Sequence, residues 1–208
     1  MRTLKIALII VLFLNTLVYS QSNNSDIKPS SKSWAVGMLY AENGFGLFGT
    51  YSKRIGRTTA TMFRLSISGV SDPNEVENYD YYGNSYVRGK INRVYASTLS
   101  IGLMHNIFFD DIEGNFKPFI KGGIAPTLIL TTPYDKSFFG SFGYTQTSFG
   151  LGVFGGLGIE YYESRSLGMS LGIEYYYIPV LGNEVTSIIG KNITNVGGLQ
   201  FGFNIMFF

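Results

Sequence analysis

The chain has no cysteine, one histidine, one tryptophan and few charged residues. Without cysteine it can form neither a disulfide framework nor a thiolate metal site, and it can carry no cysteine-linked lipid anchor. Asp, Glu, Lys and Arg together make up 14% of its 208 residues, whereas about a quarter is usual for globular domains. Beyond residue 33 no segment shows sustained helical periodicity. These absences argue against a helical domain and against an ordinary soluble surface.

Glycine and aromatic residues are abundant instead, with 26 glycines and an aromatic share of 16%. The stretch LGMSLGIEYYYIPV, residues 167–180, is apolar at every second position as far as Tyr177. The positions between hold glycine, serine, one carboxylate and one tyrosine. Because a soluble sheet would carry charge on that second face, the pattern predicts a barrel whose apolar face meets lipid and whose small residues line a narrow lumen.

The first twenty residues combine Arg2 and Lys5 with an apolar run and a small residue at the end, which predicts a secretory signal peptide over 1–20. Residues 21–32 are polar and rich in Ser and Asn, which predicts a short flexible lead-in. Cleavage after Ser20 would remove two cations and no acid, leaving fourteen Lys and Arg against fourteen Asp and Glu. A chain without net charge argues against nucleic acid as a partner.

Eight segments of strand character follow the lead-in, and they predict an all-β fold, an eight-stranded antiparallel up-and-down transmembrane β-barrel over 33–208. Their predicted bounds are 33–41, 45–55, 58–70, 92–109, 116–131, 148–162, 167–179 and 196–208. Three long connections and three short ones alternate, so long loops gather at one end of the barrel and tight turns at the other. Outer-membrane barrels show this asymmetry. The long loops are 71–91, 132–147 and 180–195, and the short turns are 56–57, 110–115 and 163–166.

Segment lengths and tyrosine positions fit a bilayer. The eleven residues 167–177, at about 3.3 Å each and tilted by about 45°, span roughly 23 Å, close to the apolar band of about 25 Å in such barrels. Tyrosines fall near the segment ends, where interfacial girdles are expected. They are Tyr40, Tyr95, Tyr175 and Tyr177 on the loop side, and Tyr51 and Tyr161 on the turn side.

This architecture, the predicted signal peptide and the terminal Phe208 resemble the small eight-stranded outer-membrane β-barrel family, the porin-like group that includes OmpX and the transmembrane domain of OmpA. The resemblance covers about residues 33–208. It implies a place in the outer membrane of a Gram-negative cell envelope, insertion by the barrel-insertion machinery and contact with outer-membrane lipids. One feature departs from the family's pattern, because Phe207 rather than Phe208 continues the lipid-facing alternation of the last segment.

Two motifs suggest chemistry but lack the context it needs. The series of Gly150, Gly152 and Gly155 matches a dinucleotide fingerprint, yet a strand pattern runs through it and no helix follows. His105 falls in the lipid-facing phase of the fourth segment. An outer-membrane lipid deacylase uses a barrel-wall histidine together with a serine two residues later in the chain. Ile107 occupies that position. We therefore expect neither a cofactor site nor a catalytic residue.

The long loops carry acids and aromatic side chains. Asp72, Glu75, Glu77 and Asp80 do not have the spacing of a dedicated calcium loop, so we expect a solvated acidic loop and no metal site. The aromatic residues suit adaptable contacts with an extracellular ligand through 71–91 and 132–147, or else they fold over the barrel mouth. They are Tyr79, Tyr81, Tyr82, Tyr86, Phe138, Phe139, Phe142 and Tyr144.

Four charged residues fall in the lumenal phase, namely Arg64, Lys121, Glu160 and Glu174. Isolated charges away from bulk water are costly, whereas hydrogen-bonded pairs are tolerated. We therefore expect these residues to form a lumenal charge network in which Arg64 or Lys121 bridges to Glu174.

The leading hypothesis is a non-enzymatic outer-membrane barrel with an occluded lumen and a structural role or a surface-loop role in interaction or adhesion. The alternative is a small porin-like pore or transporter for a modest solute. A barrel-wall lipid-modifying enzyme ranks third, since eight strands leave room only for side chains or one small ligand.

Overall fold

The computed structural model describes residues 31–108, 112, 114–137 and 139–208. Eight long strands form one antiparallel barrel in chain order, and the last strand pairs with the first. Their bounds are β1 Lys32–Ala41, β2 Gly44–Arg54, β3 Thr59–Val70, β4 Asn92–Asn106, β5 Phe116–Pro133, β6 Gln146–Tyr162, β7 Leu167–Tyr177 and β8 Gly198–Phe207. The predicted all-β, eight-stranded up-and-down barrel is confirmed.

Short elements occupy the long loops. Strands Glu77–Tyr79 and Ser85–Val87 pair within the loop between β3 and β4, and strands Val185–Thr186 and Asn192–Ile193 pair within the loop between β7 and β8. Strand Val180–Leu181 pairs with β6. A 3-10 turn, Phe142–Tyr144, precedes β6. Within the described residues, no helix is long and apolar enough to cross a membrane.

Some strand ends differ from the sequence prediction. The fourth strand ends at Asn106 rather than 109, because Phe108 has a φ of 53°, a left-handed conformation that cannot continue a strand. The connection that follows is therefore 107–115. The fifth strand runs to Pro133, two residues beyond its predicted end, and the eighth begins at Gly198 rather than 196. The predicted signal peptide and nearly all of the lead-in lie outside the described residues.

The two faces of the wall carry the predicted side chains. Apolar residues such as Leu47, Leu65 and Leu171 point outward and are more than half exposed. Aromatic side chains mark both rims of this band. Tyr40 and Tyr177 lie at the loop end, and at the turn end the ring of Trp34 lies 4.7 Å from that of Tyr51. The outer surface is therefore an apolar belt between aromatic girdles, as in membrane-spanning barrels.

Glycines on the inner wall make room for aromatic rings in the lumen. A Cβ added to Gly37 would lie 2.8 Å from Cζ of Phe48, and one added to Gly158 would lie 2.5 Å from Cζ of Phe119. Both rings are buried inside the barrel. At both positions a backbone carbonyl oxygen of the neighbouring strand would lie closer still to the added Cβ, that of Phe203 at Gly37 and that of Leu171 at Gly158. These two positions therefore need glycine, because neither the oxygen nor the ring leaves space for a side chain.

The C-terminal end keeps a regular register. Pairing of β8 with β1 proceeds one residue at a time from Gln200 to Phe207, so no bulge changes the phase. Phe207 points outward and is 47% exposed. Phe208 instead stacks on the buried ring of Tyr162, with ring centroids 5.2 Å apart. The chain therefore ends with its last aromatic ring packed at the turn-side entrance of the lumen.

Candidate functional site

The centre of the lumen holds an ion cluster of Arg64, Lys121 and Glu174. Nη1 of Arg64 lies 2.8 and 2.7 Å from the two carboxylate oxygens of Glu174, and Nζ of Lys121 lies 2.6 Å from Oε1. All three side chains are at most 5% exposed. The structure thus places both cations on one carboxylate.

Neutral groups complete the cluster. The hydroxyl of Tyr176 donates to Oε2 of Glu174 at 3.0 Å and lies 3.1 Å from the hydroxyl of Ser100. Nε of Arg64 donates to the hydroxyl of Thr50 at 3.2 Å. The guanidinium carbon of Arg64 lies 4.3 Å from the centre of the Phe48 ring, a cation–π distance. Such contacts are what a desolvated ion cluster needs to be tolerated.

Gly156 lets the cluster form across a strand. It is paired with Lys121 on one side and with Glu174 on the other, so it lies between the two charges on the inner wall. A Cβ at this position would lie 2.7 Å from Cγ of Glu174 and 2.5 Å from the carbonyl oxygen of Ile173. Only glycine leaves room for the lysine to reach the carboxylate over β6.

Glu160, the fourth predicted lumenal charge, belongs to a lower group near the turn end. It accepts hydrogen bonds from the hydroxyl of Tyr162 at 2.6 Å and from Nδ2 of Asn106 at 3.3 Å. Arg54 binds both of these partners, with Nη1 3.2 Å from Oδ1 of Asn106 and Nη2 3.1 Å from the Tyr162 hydroxyl. The sequence analysis did not identify Arg54 as a lumenal charge. It could have done so, because Arg54 lies four residues after the inward-facing Thr50 in β2 and therefore on the same face of the strand.

The loop between β7 and β8 folds over the loop end of the lumen. Its residues Ile178, Val185, Ile193 and Val196 are buried at 6% exposure or less. They pack in one apolar cluster with lumenal residues of the barrel wall, which are Met62, Val70, Val94, Ala96, Ala125, Ile129, Phe154 and Tyr176. We call residues 178–197 the cap.

The cap is tied to the loop between β3 and β4 by polar contacts. The buried hydroxyl of Ser187 donates to Oε1 of Glu75, and Nζ of Lys90 lies 2.6 Å from Oε2 of the same carboxylate. Nδ2 of Asn92 donates to the carbonyl oxygen of Thr186 at 2.8 Å. Burial alone would raise the pKa of Glu75, but the hydrogen bonds from Lys90 and Ser187 outweigh it and hold that pKa below its usual range.

Comparison with solved structures finds the same architecture in outer-membrane proteins. The outer membrane protein OprG from Pseudomonas aeruginosa matches with a TM-score of 0.53 and 10% identity, covering 88% of this chain and 98% of that one. Neisserial surface protein A matches with a TM-score of 0.50 and 13% identity, covering 85% and 94%. A major outer membrane protein from Thermus thermophilus matches with a TM-score of 0.50 and 14% identity, covering 86% and 99%.

The chain has the fold of the small eight-stranded outer-membrane β-barrels. Neither a protein-family model nor a curated protein sequence matches it. With its apolar belt and aromatic girdles, it is an integral outer-membrane protein. In such barrels the end with the long loops is usually extracellular, and for this chain that topology stays a prediction.

The long loops expose most of the predicted aromatic residues. Tyr81 is 97% exposed, Tyr82 and Phe139 are 85% exposed, and Tyr79, Tyr86 and Tyr144 are about half exposed or more. The rings of Tyr81 and Tyr82 meet edge to face, 5.6 Å apart. Phe138 and the side chain of Phe142 lie outside the described residues. The described aromatic residues therefore project into solvent and do not form part of the cap.

The acids of the loop between β3 and β4 have local structural partners. Asp72 accepts hydrogen bonds from the backbone and side chain of Asn74, and Asp80 accepts them from Asn84. The hydrogen bonds from Asn84, that of its side chain first and that of its backbone second, lower the pKa of Asp80. Within the part of the chain that the structure describes, no group of three or more His, Asp or Glu could hold a metal ion.

His105 lies on the outer wall in the predicted phase. Its Nδ1 is 2.9 Å from the hydroxyl of Thr59 on the neighbouring strand. Ile107, two residues on, supplies no nucleophile. Thr59, the hydroxyl beside His105, begins β3 at the turn end of the barrel.

Proposed function

We propose that this protein is a non-enzymatic outer-membrane barrel with a closed interior, which acts through contacts of its extracellular loops. The observation that carries the proposal is the combination of a filled lumen and exposed loop aromatics. The lumen holds a buried ion cluster under an apolar cap, while tyrosines of the neighbouring loop are almost fully exposed.

Three levels of the lumen support a closed interior. Arg54, Asn106, Glu160 and Tyr162 are hydrogen-bonded near the turn end. The ion cluster crosses the centre, because Arg64 reaches from β3 to β7. Apolar residues of the cap fill the loop end. An eight-stranded barrel is just wide enough for such side chains, so a solute would have to displace all three layers.

The loop aromatics support a role in recognition. Tyrosine offers a large contact area at a low cost in conformational entropy, and adjoining exposed apolar surfaces are typical of interaction sites. The Tyr81 and Tyr82 pair sits at the tip of a two-stranded extension that projects beyond the barrel. We therefore expect the ligand of this tip to be a molecule on another cell or on a matrix surface.

A binding assay tests this proposal. Cells displaying the protein, or beads carrying it in nanodiscs, are tested for adhesion to host-cell and matrix surfaces, with Tyr81→Ser/Tyr82→Ser as the variant. The matched control is Val76→Ser/Ile189→Ser, which removes two apolar side chains that are 66% and 70% exposed on the extracellular loops. The proposal expects adhesion that the tyrosine variant loses and the control keeps. Equal adhesion of all three proteins would contradict it.

A further inference from the structure

Phe208 lies at the turn-side mouth of the lumen, on the inner face of the wall. It continues the inward phase of Met206, which is buried. Its ring stacks on that of Tyr162, with the centroids 5.2 Å apart. A Cβ added to Gly168 on β7 would lie 2.8 Å from the carbonyl oxygen of Tyr161 and 3.1 Å from Cε2 of Phe208. Glycine on the neighbouring strand therefore leaves the ring its place in the mouth.

The ring of Phe208 lies between the solvent at the turn end and the lower group of Arg54, Asn106, Glu160 and Tyr162. Tyr162 is the last residue of β6, yet it is only 2% exposed, because the stacked ring covers it. Its hydroxyl donates to Oε2 of Glu160 at 2.6 Å and accepts from Nη2 of Arg54 at 3.1 Å. Phe208 therefore packs directly on a member of the lower group.

Phe208 also forms one wall of a small cavity in the lower lumen. The volume of this cavity is about 10 Å³, and its other lining residues include Ser52, Arg54, Ala60 and Glu160. A cavity of this size holds about one water molecule and no larger solute. Both hydrogen bonds that Glu160 accepts from described residues go to Oε2, so within that part of the chain its Oε1 has no donor. The cavity is therefore polar, and the ring separates it from the solvent at the turn end.

Displacing the Phe208 side chain would not open the wall of the barrel. The pairing of β8 with β1 and with β7 ends at Phe207. Phe208 adds a hydrogen bond from its backbone N to the carbonyl oxygen of Ser166, at 3.2 Å. Phe207 is on the opposite face, where it is 47% exposed on the outer wall. The two neighbouring phenylalanines therefore have separate places, one on the lipid-facing wall and one in the lumen.

We propose that Phe208 is a plug that closes the lumen at the turn end and keeps solutes away from the lower group. The plug rests on the closed interior proposed above, and it adds a barrier below the three levels described there. Its apolar ring is held by stacking, whereas the lower group behind it is held by hydrogen bonds between polar and charged side chains. Removing the ring therefore admits solvent to the cavity but leaves the central ion cluster covered.

Introduced cysteines test the plug, since the chain has no cysteine of its own. Ala60→Cys places a thiol at the cavity, where Ala60 is 3% exposed. Ser100→Cys places one at the centre, where Ser100 is fully buried and its hydroxyl lies 3.1 Å from that of Tyr176. Each is combined with Phe208→Ala, with Phe208→Leu or with the matched control Phe207→Ala. The folded proteins in nanodiscs react with iodoacetamide, and each rate is divided by that of the same variant unfolded in urea. Heat-modifiable mobility on a gel establishes that each variant is folded.

With Phe208 in place, Ala60→Cys should react at least about tenfold more slowly than in the unfolded chain, because a buried thiol reacts only through local opening. Phe208→Ala should raise this rate about tenfold and Phe207→Ala less than about twofold, since only the first change removes the cover of the cavity. Phe208→Leu should raise the rate by a smaller factor, and it tests the plug if Phe208→Ala does not fold. Ser100→Cys should stay slow in every background.

Two results would overturn the plug while slow labelling of Ser100→Cys upheld the closed interior. One is fast labelling of Ala60→Cys with Phe208 in place, and the other is an equal rate in Phe208→Ala and Phe207→Ala. Fast labelling of Ser100→Cys with Phe208 in place would contradict the closed interior itself, and the plug with it.

Discussion

Glu174→Ala is the substitution that most strongly tests the lumenal ion cluster. Glu174 accepts hydrogen bonds or ion pairs from Arg64, Lys121 and Tyr176, and its side chain is 2% exposed. Its removal leaves two buried cations side by side without a counter-ion. Breaking a buried ion pair costs about 3–5 kcal/mol, and we expect the upper part of that range because two cations lose their partner at once.

The assay is a urea titration of folding in lipid vesicles, followed by gel mobility and tryptophan fluorescence of Trp34. Gln200→Ala is the matched control, since Gln200 is paired with Glu174 on the next strand and is half-buried but uncharged. It should cost less than about 1 kcal/mol. Adding Lys121→Met to Glu174→Ala should recover part of the loss, because it removes one of the two stranded cations.

A loss at Glu174 no larger than the loss at Gln200 would refute the desolvated ion cluster. Such a result would mean that water reaches the cluster and screens its charges as it does at a surface, where an ion pair contributes about 0–1 kcal/mol.

Three further predictions concern the wall, the topology and the cap. Leu171→Arg should cost roughly 2–4 kcal/mol near the bilayer midplane and Ser170→Thr much less; equal losses in a refolding titration would contradict the two faces. Protease added to intact cells should cut within 71–91 and spare 163–166, and cleavage only at the turn would invert the topology. The pKa of Glu75 is lowered in the folded protein, so its contribution to cap stability is complete above the unfolded pKa and is lost as the pH falls through the folded one. The protection factors of the cap amides, which are the intrinsic exchange rates divided by the observed ones, should therefore fall in acid in the wild type but not in Glu75→Gln. The same acid response in both proteins would count against the contact between Glu75 and the cap.

Period-two alternation was sufficient to predict the strands and the phase of the lumenal charges. Arg64, Lys121, Glu160 and Glu174 each lie in a long uninterrupted strand, where parity alone decides which face a side chain occupies. The partner of each charge depends also on the stagger between strands, which alternation does not specify. This is why Glu160 could be placed in the lumen but not assigned to the lower group with Arg54.

The cap could not be predicted because it depends on contacts between distant loops. Ser187 and Glu75 are 112 residues apart, and the sequence of 180–195 has no alternation that marks its buried members. Val185 is fully buried although it follows the exposed residues 182–184. The end of β4 was missed for a local reason. The residue with the left-handed conformation is Phe108, whereas glycine or asparagine is the residue that usually indicates this conformation in a sequence.

Planar-bilayer recording of the purified wild-type protein tests the closed interior most directly. The account predicts that inserted molecules are nearly silent, because the lower group, the ion cluster and the cap each block the lumen at a different height. A steady ohmic conductance from every inserted molecule would contradict the closed interior and would favour a small pore.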